Sequence, residues 1–289
     1  MNSAVVSAVL RWYGSEARDL PWRRPGTTPW QIMISEFMLQ QTPVARVLEP
    51  WQRWVDRWPV PAALAAEPSG EAVRAWGRLG YPRRALRLHR AAVAIDQDHD
   101  GEVPADLAAL RALPGVGDYT AAAVAGFGFG QRHLVLDTNV RRVITRIGAG
   151  VQYPATSLSA AERALAETFL PRQAPRAARW AAASMELGAV VCTARSPRCD
   201  DCPVRSRCAW RAAGYPAWAG PPRLGQTYTG TDRQCRGAVL AVLRERDEPV
   251  PSEELATAWP DHDQFERALA GLLADGLISE GPAGYALPI

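Results

Sequence analysis

The chain has 289 residues, 47% hydrophobic and 22% charged, the composition of a globular protein long enough for roughly two domains and a sizeable core. Its formal charge of +3 divides unevenly: residues 236–289 hold four Arg against ten acids, net −6, which leaves +9 on residues 1–235 and suits a polyanionic partner for the body of the protein. There is no lysine at all, which excludes catalysis through a side-chain Schiff base, and no apolar run approaches the roughly 20 residues that span a bilayer.

In chain order, "MNSAVVSAVLRWYG" lacks the basic region and cleavage site of a secretory signal, so a cytoplasmic, nucleoid-associated location without membrane contact is expected. Helical periodicity covers about residues 3–16, then, after the turn "RDLPWRRPGTTPW", about 30–57, 70–78, 83–97, 105–112, 118–128, 138–147, 159–169 and 175–190. Strand signals are nearly absent before residue 276, so an all-α body is expected. Within the second of these segments Glu36 is surrounded by Ile32, Met33, Ile34, Phe37, Met38 and Leu39. A carboxylate in apolar surroundings is relieved by a raised pKa, which would make it a proton donor near neutral pH. Taken alone, the motif reads more simply as a solvated carboxylate on a helix surface.

The stretch "LRALPGVGDYTAAAV" ends one helix near Leu113 and begins another near Asp118, with Gly115, Val116 and Gly117 between. Two glycines around one apolar residue leave backbone N–H groups open at a helix start, where the dipole favours an anion such as a backbone phosphate. The alternative is an ordinary helical hairpin turn. Further on, "HLVLDTNVRRV" places Asp137 as the N-cap of an Arg-rich helix. Beside Glu36 it also completes a pair of unlike carboxylates, one protonated and one ionised, of the kind that glycosidic cleavage requires.

Cys192, Cys199, Cys202 and Cys208 follow with spacing C-x6-C-x2-C-x5-C, which indicates metal rather than disulfides. A four-thiolate zinc site and an iron–sulfur cluster both fit that ligand count, and spacing alone favours zinc. Residues 213–232, rich in Gly, Pro and Thr, read as a linker, and Cys235, lying in the linker region, reads as a lone thiol. Beyond lie three short helices and a hairpin, a small winged-helix-like domain. Asp263, Glu266 and Asp275 against Arg267 on its last helix argue against groove reading and for a packing or protein-contact role.

Taken together, "RDLPWR", "SEFMLQQTPV", "LGYPRRALRLH", "LPGVGDYTAAAV", "LDTNVRRV", "MELGAVVC" and the cysteine loop resemble the helix-hairpin-helix base-excision DNA glycosylases, most closely the adenine DNA glycosylases of the MutY family, over about residues 5–225. The resemblance implies a 4Fe-4S cluster on the four cysteines in place of zinc. It also implies an all-α, two-lobed fold: residues 1–24 and 134–212 form a cluster lobe, 25–133 a helical barrel ending in the hairpin, 213–232 the linker and 233–289 the acidic domain. The partner would be double-stranded DNA with a mispaired adenine, bound by a monomer that flips the target nucleotide out of the stack.

By the same resemblance Glu36 is the general acid on adenine, Asp137 stabilises the sugar cation, and Tyr119 and Asn139 support them. Gln41 and Thr42 enter the vacated stack, Leu79 and Tyr81 form a wedge on the opposite strand, and Gly115, Val116 and Gly117 hold phosphate. Arg18, Trp22, Arg23, Leu39 and Val44 wall the base pocket. Tyr119 stands where the strand-nicking endonuclease III enzymes carry a lysine, which implies a glycosylase without lyase activity. Three features depart from the family pattern: Ala182 where Gln or Glu is usual, Pro82 in place of a second tyrosine, and the short acidic domain where a larger one normally reads 8-oxoguanine. A thymine or uracil mismatch glycosylase, or a non-catalytic DNA-binding module, are the alternatives.

Overall fold

The computed structural model describes residues 2–221 and 228–289; of the expected linker, residues 222–227 lie outside the described residues. Helices dominate, in the order α1 (Asn2–Glu16), α2 (Pro29–Leu39), α3 (Val44–Arg57), α4 (Pro61–Ala65), α5 (Ser69–Trp76), α6 (Arg83–Asp98), α7 (Leu107–Ala112), α8 (Asp118–Phe129), α9 (Thr138–Ile144), α10 (Ala160–Glu167), α11 (Ala174–Val190), α12 (Ala209–Ala212), α13 (Asp232–Arg244), α14 (Ser252–Ala256) and α15 (His262–Ala274). Two strands close the chain, β1 (Ser279–Gly281) and β2 (Gly284–Ala286), paired antiparallel with Glu280 opposite Tyr285. No helix among the described residues is long and apolar enough to cross a membrane.

The single helix expected over 30–57 is two. Pro43 lacks the N–H that a continuing helix needs and forces Thr42 out of helical geometry, so α2 stops at Leu39 and α3 starts after the Pro43 cap. Gln41, between them, takes a left-handed φ of 55°. The start of α2 is fixed by a reciprocal capping pair: Thr28 N–H donates to Gln31 Oε1 at 3.0 Å, and Gln31 N–H donates to Thr28 Oγ1 at 3.3 Å.

The chain divides into two compact units, Met1–Ile32 with Ala105–Arg111 and Val116–Pro222, and Met33–Pro104 with Ala112–Gly115 and Arg223–Ile289. In the first, Val5, Val6 and Val9 of α1 share a core with Val140, Val143 and Ile144 of α9 and with Trp180 and Leu187 of α11. Phe169 stacks on Trp180 there with centroids 6.2 Å apart. In the second, Trp54 of α3 meets Trp58 and Trp76 edge-to-face at 4.7 and 5.5 Å, the offset geometry that ring quadrupoles prefer. The same unit includes α13–α15 and the hairpin, with Val250 bridging Tyr285 beside β2. Cys235 is not in a linker: it is buried in α13, where its spacing to Val239 and Leu243 puts it on the apolar face.

Candidate active site and metal centre

In the second unit, Glu36 is 4% exposed. The solvated reading of this residue is therefore overturned, because α2 is buried on every side over Ile32–Met38 and leaves no wet face for a carboxylate. The end of this helix is tied down by Arg84 of α6. Its guanidinium donates to the carbonyls of Phe37 at 2.8 Å, Met38 at 3.0 Å and Gly80 at 3.0 Å, to the Gln40 carbonyl, and to Thr42 Oγ1 at 2.9 Å. A buried cation placed on the last carbonyls of a helix satisfies acceptors that have no partner within the helix and complements the dipole. Burial pushes the Arg84 guanidinium down to about 10, opposed by Tyr81 and reinforced by Arg46. Nothing in the motif marked Arg84, since the acceptors it reaches at the end of α2 lie 44–47 positions away in sequence.

Arg84 thereby joins the two loops to which DNA-inserting residues were assigned. Gln41 is exposed and Thr42 buried, with Thr42 Oγ1 also donating to Leu79 O at 3.3 Å. Leu79 is 3% exposed whereas Tyr81 is 41% exposed with a left-handed φ of 47°. Tyr81 alone of the expected wedge pair presents its ring at the surface. Two of the four described non-glycine residues at positive φ are thus Gln41 and Tyr81, and strained backbone of this kind clusters at ligand contacts. Leu39 and Val44 are half-buried at the ends of α2 and α3.

Asp137, in the first unit, caps α9. Its Oδ1 accepts from Val140 N–H at 2.6 Å and its Oδ2 from Asn139 Nδ2 at 2.7 Å. Burial raises the Asp137 carboxyl above the ordinary range, against those two donors and the charge of Arg142. Asn139 is itself held, accepting from Arg142 Nη2 at 2.8 Å, and Arg142 continues to the carbonyls of Gly188 at 2.6 Å and Cys192 at 2.8 Å. The approach of α9 to α11 depends on Gly188: a Cβ there would stand 2.7 Å from Asn139 Cβ. Tyr119 packs with Phe127 and Met185 on a cluster of Ala122, Ala123, Val135 and Ala181.

Of the expected pocket wall in this unit, Trp22 is buried, and Arg18 and Arg23 both turn to Glu186. Arg18 meets it through Nε at 2.6 Å and Nη2 at 2.9 Å, and Arg23 through Nη1 at 2.8 Å. Glu186 is fully buried, and the two guanidiniums hold its carboxyl below the usual range against the effect of burial. Glu186 was not among the expected site residues, although "SMELGAVV" gives the same signal as Glu36, a carboxylate in an apolar helix.

The helical hairpin has α7 and α8 around Leu113–Gly117. Gly115 has φ +79°, and a Cβ would stand 2.7 Å from Arg87 Cβ and 3.1 Å from the Phe37 ring, so glycine is required. At Gly117, the N-cap of α8, a Cβ would meet nothing within 4 Å, and the helix start is open to an approaching anion. Val116 is buried beneath.

Cys192, Cys199, Cys202 and Cys208 line one cavity together with Arg146, Leu187 and Trp210. Among the described residues no three His, Cys, Asp or Glu are placed to hold a single metal ion. Four thiols on one cavity supply the donor count of an iron–sulfur cluster as well as that of the single zinc that spacing alone favoured. The surroundings fit thiolates bound to a cationic group. Burial pushes the Cys202 thiol up to about 12 and neighbouring sulfurs add to the rise, while backbone N–H groups of Val204, and of Arg211 and Trp210 at Cys208, oppose it. Arg146 Nη1 also donates to Cys192 Sγ at 3.3 Å. Hydrogen bonds to sulfur are among the means by which proteins tune such clusters.

Comparison with known proteins agrees with this layout. Residues 34–167 match the model of the HhH-GPD superfamily base excision DNA repair proteins, and residues 192–208 match the iron-sulfur binding domain of endonuclease III. The adenine DNA glycosylase of Mycobacterium tuberculosis is 53% identical over 282 residues, covering 97% of this chain and 92% of its own length. The human adenine DNA glycosylase is 38% identical over 218 residues, covering 72% of this chain and 40% of its own. Among solved structures, a thermostable thymine-DNA glycosylase superimposes with a TM-score of 0.65 at 29% identity, covering 73% of this chain and 97% of its own.

Proposed function

The chain belongs to the adenine DNA glycosylases of the helix-hairpin-helix base-excision superfamily, and from that premise we propose that it removes adenine paired with 8-oxoguanine or guanine in duplex DNA, with Glu36 as the acid and Asp137 as the stabilising anion. The observation that carries this reading is the burial of Glu36 on the apolar helix α2. An acid kept from water retains its proton for a ring nitrogen of the flipped base. As the bond from the sugar C1′ to adenine breaks, the electron pair departs with the protonated base, and the sugar is left with oxocarbenium character. Asp137 faces that charge as an anion, its oxygens fixed by Val140 N–H and Asn139. Water then adds at C1′ and loses a proton. Tyr119 and Asn139 position these groups, and Gln41, Thr42 and Tyr81 fill or hold open the stack. Backbone N–H groups at Gly115–Gly117 hold a phosphate.

The protein is an adenine DNA glycosylase by family, and Cys192, Cys199, Cys202 and Cys208 are the residues that would hold its 4Fe-4S cluster. When bound, the cluster closes the loop as a cross-link and has one-electron redox capacity; no step of the hydrolysis is assigned to it. With no lysine in the chain, base removal proceeds without β-elimination by a lysine amine, and the protein acts as a monomer.

The test is a set of duplexes carrying adenine opposite 8-oxoguanine, guanine and cytosine, and thymine opposite guanine, under single-turnover conditions. Adenine release from the first two, lost in Glu36→Gln, is the expected result. Release of thymine in preference to adenine would overturn it, as would strand nicking at the rate of base release for the lyase-free reading.

A further inference from the structure

The C-terminal module is acidic overall, yet it is fastened to the helices on both sides of the loop that presents Tyr81. On the α5 side, Arg244 Nε donates to Val73 O at 3.0 Å, Arg74 donates to the carbonyls of Arg244 at 2.5 Å and Arg246 at 3.0 Å, and Gly70 N–H donates to Pro288 O at 2.7 Å. On the α6 side, Arg83 pairs with Asp275 at 3.3 Å, and Asp275 also accepts from Arg236. Contacts flanking the loop on both sides fix the module's position against it within this unit.

At the loop itself, the Arg233 guanidinium lies 5.3 Å over the Tyr228 ring, and Arg233 Nη1 donates to Tyr81 Oη at 3.4 Å. Tyr228 is 52% exposed, so the half-buried cation lies with two exposed aromatic rings, that of Tyr81 being the other. The preceding acid, Asp232, is engaged by Gln264 at 2.9 Å and by Arg267 at 3.6 Å. Flat rings for a base or sugar beside a cation for phosphate are the chemistry of nucleic-acid strand contact.

We infer that Arg233, with Tyr228 and Tyr81, forms a contact for the sugar–phosphate backbone of the DNA strand opposite the excised adenine. This rests on the reading of Tyr81 as the residue that meets that strand. The module then does not read a groove with its acidic helix α15; it extends the DNA surface at the start of α13. The 97% coverage of this chain by the M. tuberculosis match leaves too few residues outside to omit the module, so a relative of the same family carries the corresponding segment.

The test uses the full chain loaded with its cluster. Arg233→Ala is expected to weaken binding to the adenine:8-oxoguanine duplex by about three- to tenfold and to reduce the slope of log K against log salt by about 1. Arg233→Glu should weaken it further, and the single-turnover rate at saturating enzyme should stay unchanged in both. Arg246→Ala, which removes an exposed cation paired with Glu254 in the same module, serves as the control and should leave affinity unchanged. Replacing phosphates of the opposite strand near the mismatch by neutral methylphosphonates should cancel the difference between wild type and Arg233→Ala. An unchanged affinity and salt slope in Arg233→Glu would overturn the inference, as would cancellation by neutral phosphates in the adenine strand instead. Both results leave wild-type adenine release intact; absence of that release would strike the glycosylase reading itself.

Discussion

The proposed reaction asks opposite tasks of Glu36 and Asp137, two carboxyl groups in different surroundings. Around Glu36 the chain offers Ile32, Met33, Ile34, Phe37 and Met38, all buried, and withdrawal from water is the part of its surroundings that the proposed acid role draws on. Around Asp137 burial is also present and also raises the pKa, but Val140 N–H, the Asn139 amide and Arg142 each act to keep the anion. The lesson is that withdrawal from water alone does not assign a role to a carboxylate. At Asp137 the donors aimed at the carboxylate favour the fixed negative charge that the proposed mechanism asks of it.

The sharpest way to break this comparison is Glu36→Gln. The loss of adenine release expected in single-turnover assays is about 10²–10⁴-fold, with DNA affinity and thermal stability close to wild type. A variant that still releases adenine at the wild-type rate would remove the acid from the scheme.

Arg84→Met comes next, because it takes the guanidinium from the carbonyls of Phe37 and Met38 at the end of α2. A loss of about 1–3 kcal/mol in urea unfolding is expected, with a slower excision step because the end of the Glu36 helix is released. A stability equal to wild type would show that this cation does not hold α2.

Asp137 separates cap from charge. Asp137→Ala should cost about 0.5–2 kcal/mol through the lost N-cap, whereas Asp137→Asn retains an acceptor for Val140 N–H and should cost less. Both should lose excision. Equal destabilisation by the two substitutions would mean that the charge, rather than the cap, stabilises α9.

The smallest expected effect is on pH dependence. In the proposed mechanism the reacting form is the Asp137 anion, so the rate should rise with pH through a pKa displaced upward from that of an ordinary aspartate. Asn139→Ala removes one donor to the anion and should move this acid limb to still higher pH; movement to lower pH would contradict the assigned role. The linked stability has the opposite sense. With a folded-state pKa above the unfolded one, the contribution from Asp137 is fully present below the unfolded value and is lost as pH rises through the folded one.

Much of the helical order could be read from periodicity and punctuation. The expected segments 83–97, 118–128 and 175–190 are observed as α6, α8 and α11 within one residue at each end, since an apolar stripe and its Pro or Gly boundaries are local properties. The hairpin glycines and the four cysteines were likewise visible as spacing. The break inside 30–57 was visible only in part: Pro43 signalled it, but the apolar residues on either side continued the helical pattern. Glu186 and Arg84 were missed for a different reason. Their partners, Arg18 and Arg23 for one and the carbonyls at the end of α2 for the other, stand 163–168 and 44–47 positions away, and no local pattern encodes such a pairing.

The sequence by itself determined where helices start and stop, which turn requires glycine, and that four thiols lie within one short loop. These follow from φ/ψ preference, side-chain period and chemical type, which act over a few residues. The tertiary structure decided that Glu36 is dry, that Asp137 is half-buried yet supplied with donors, and that the acidic module lies against the Tyr81 loop. Solvation and charge compensation depend on what packs against a residue from distant parts of the chain, and those neighbours exist only once the chain has folded.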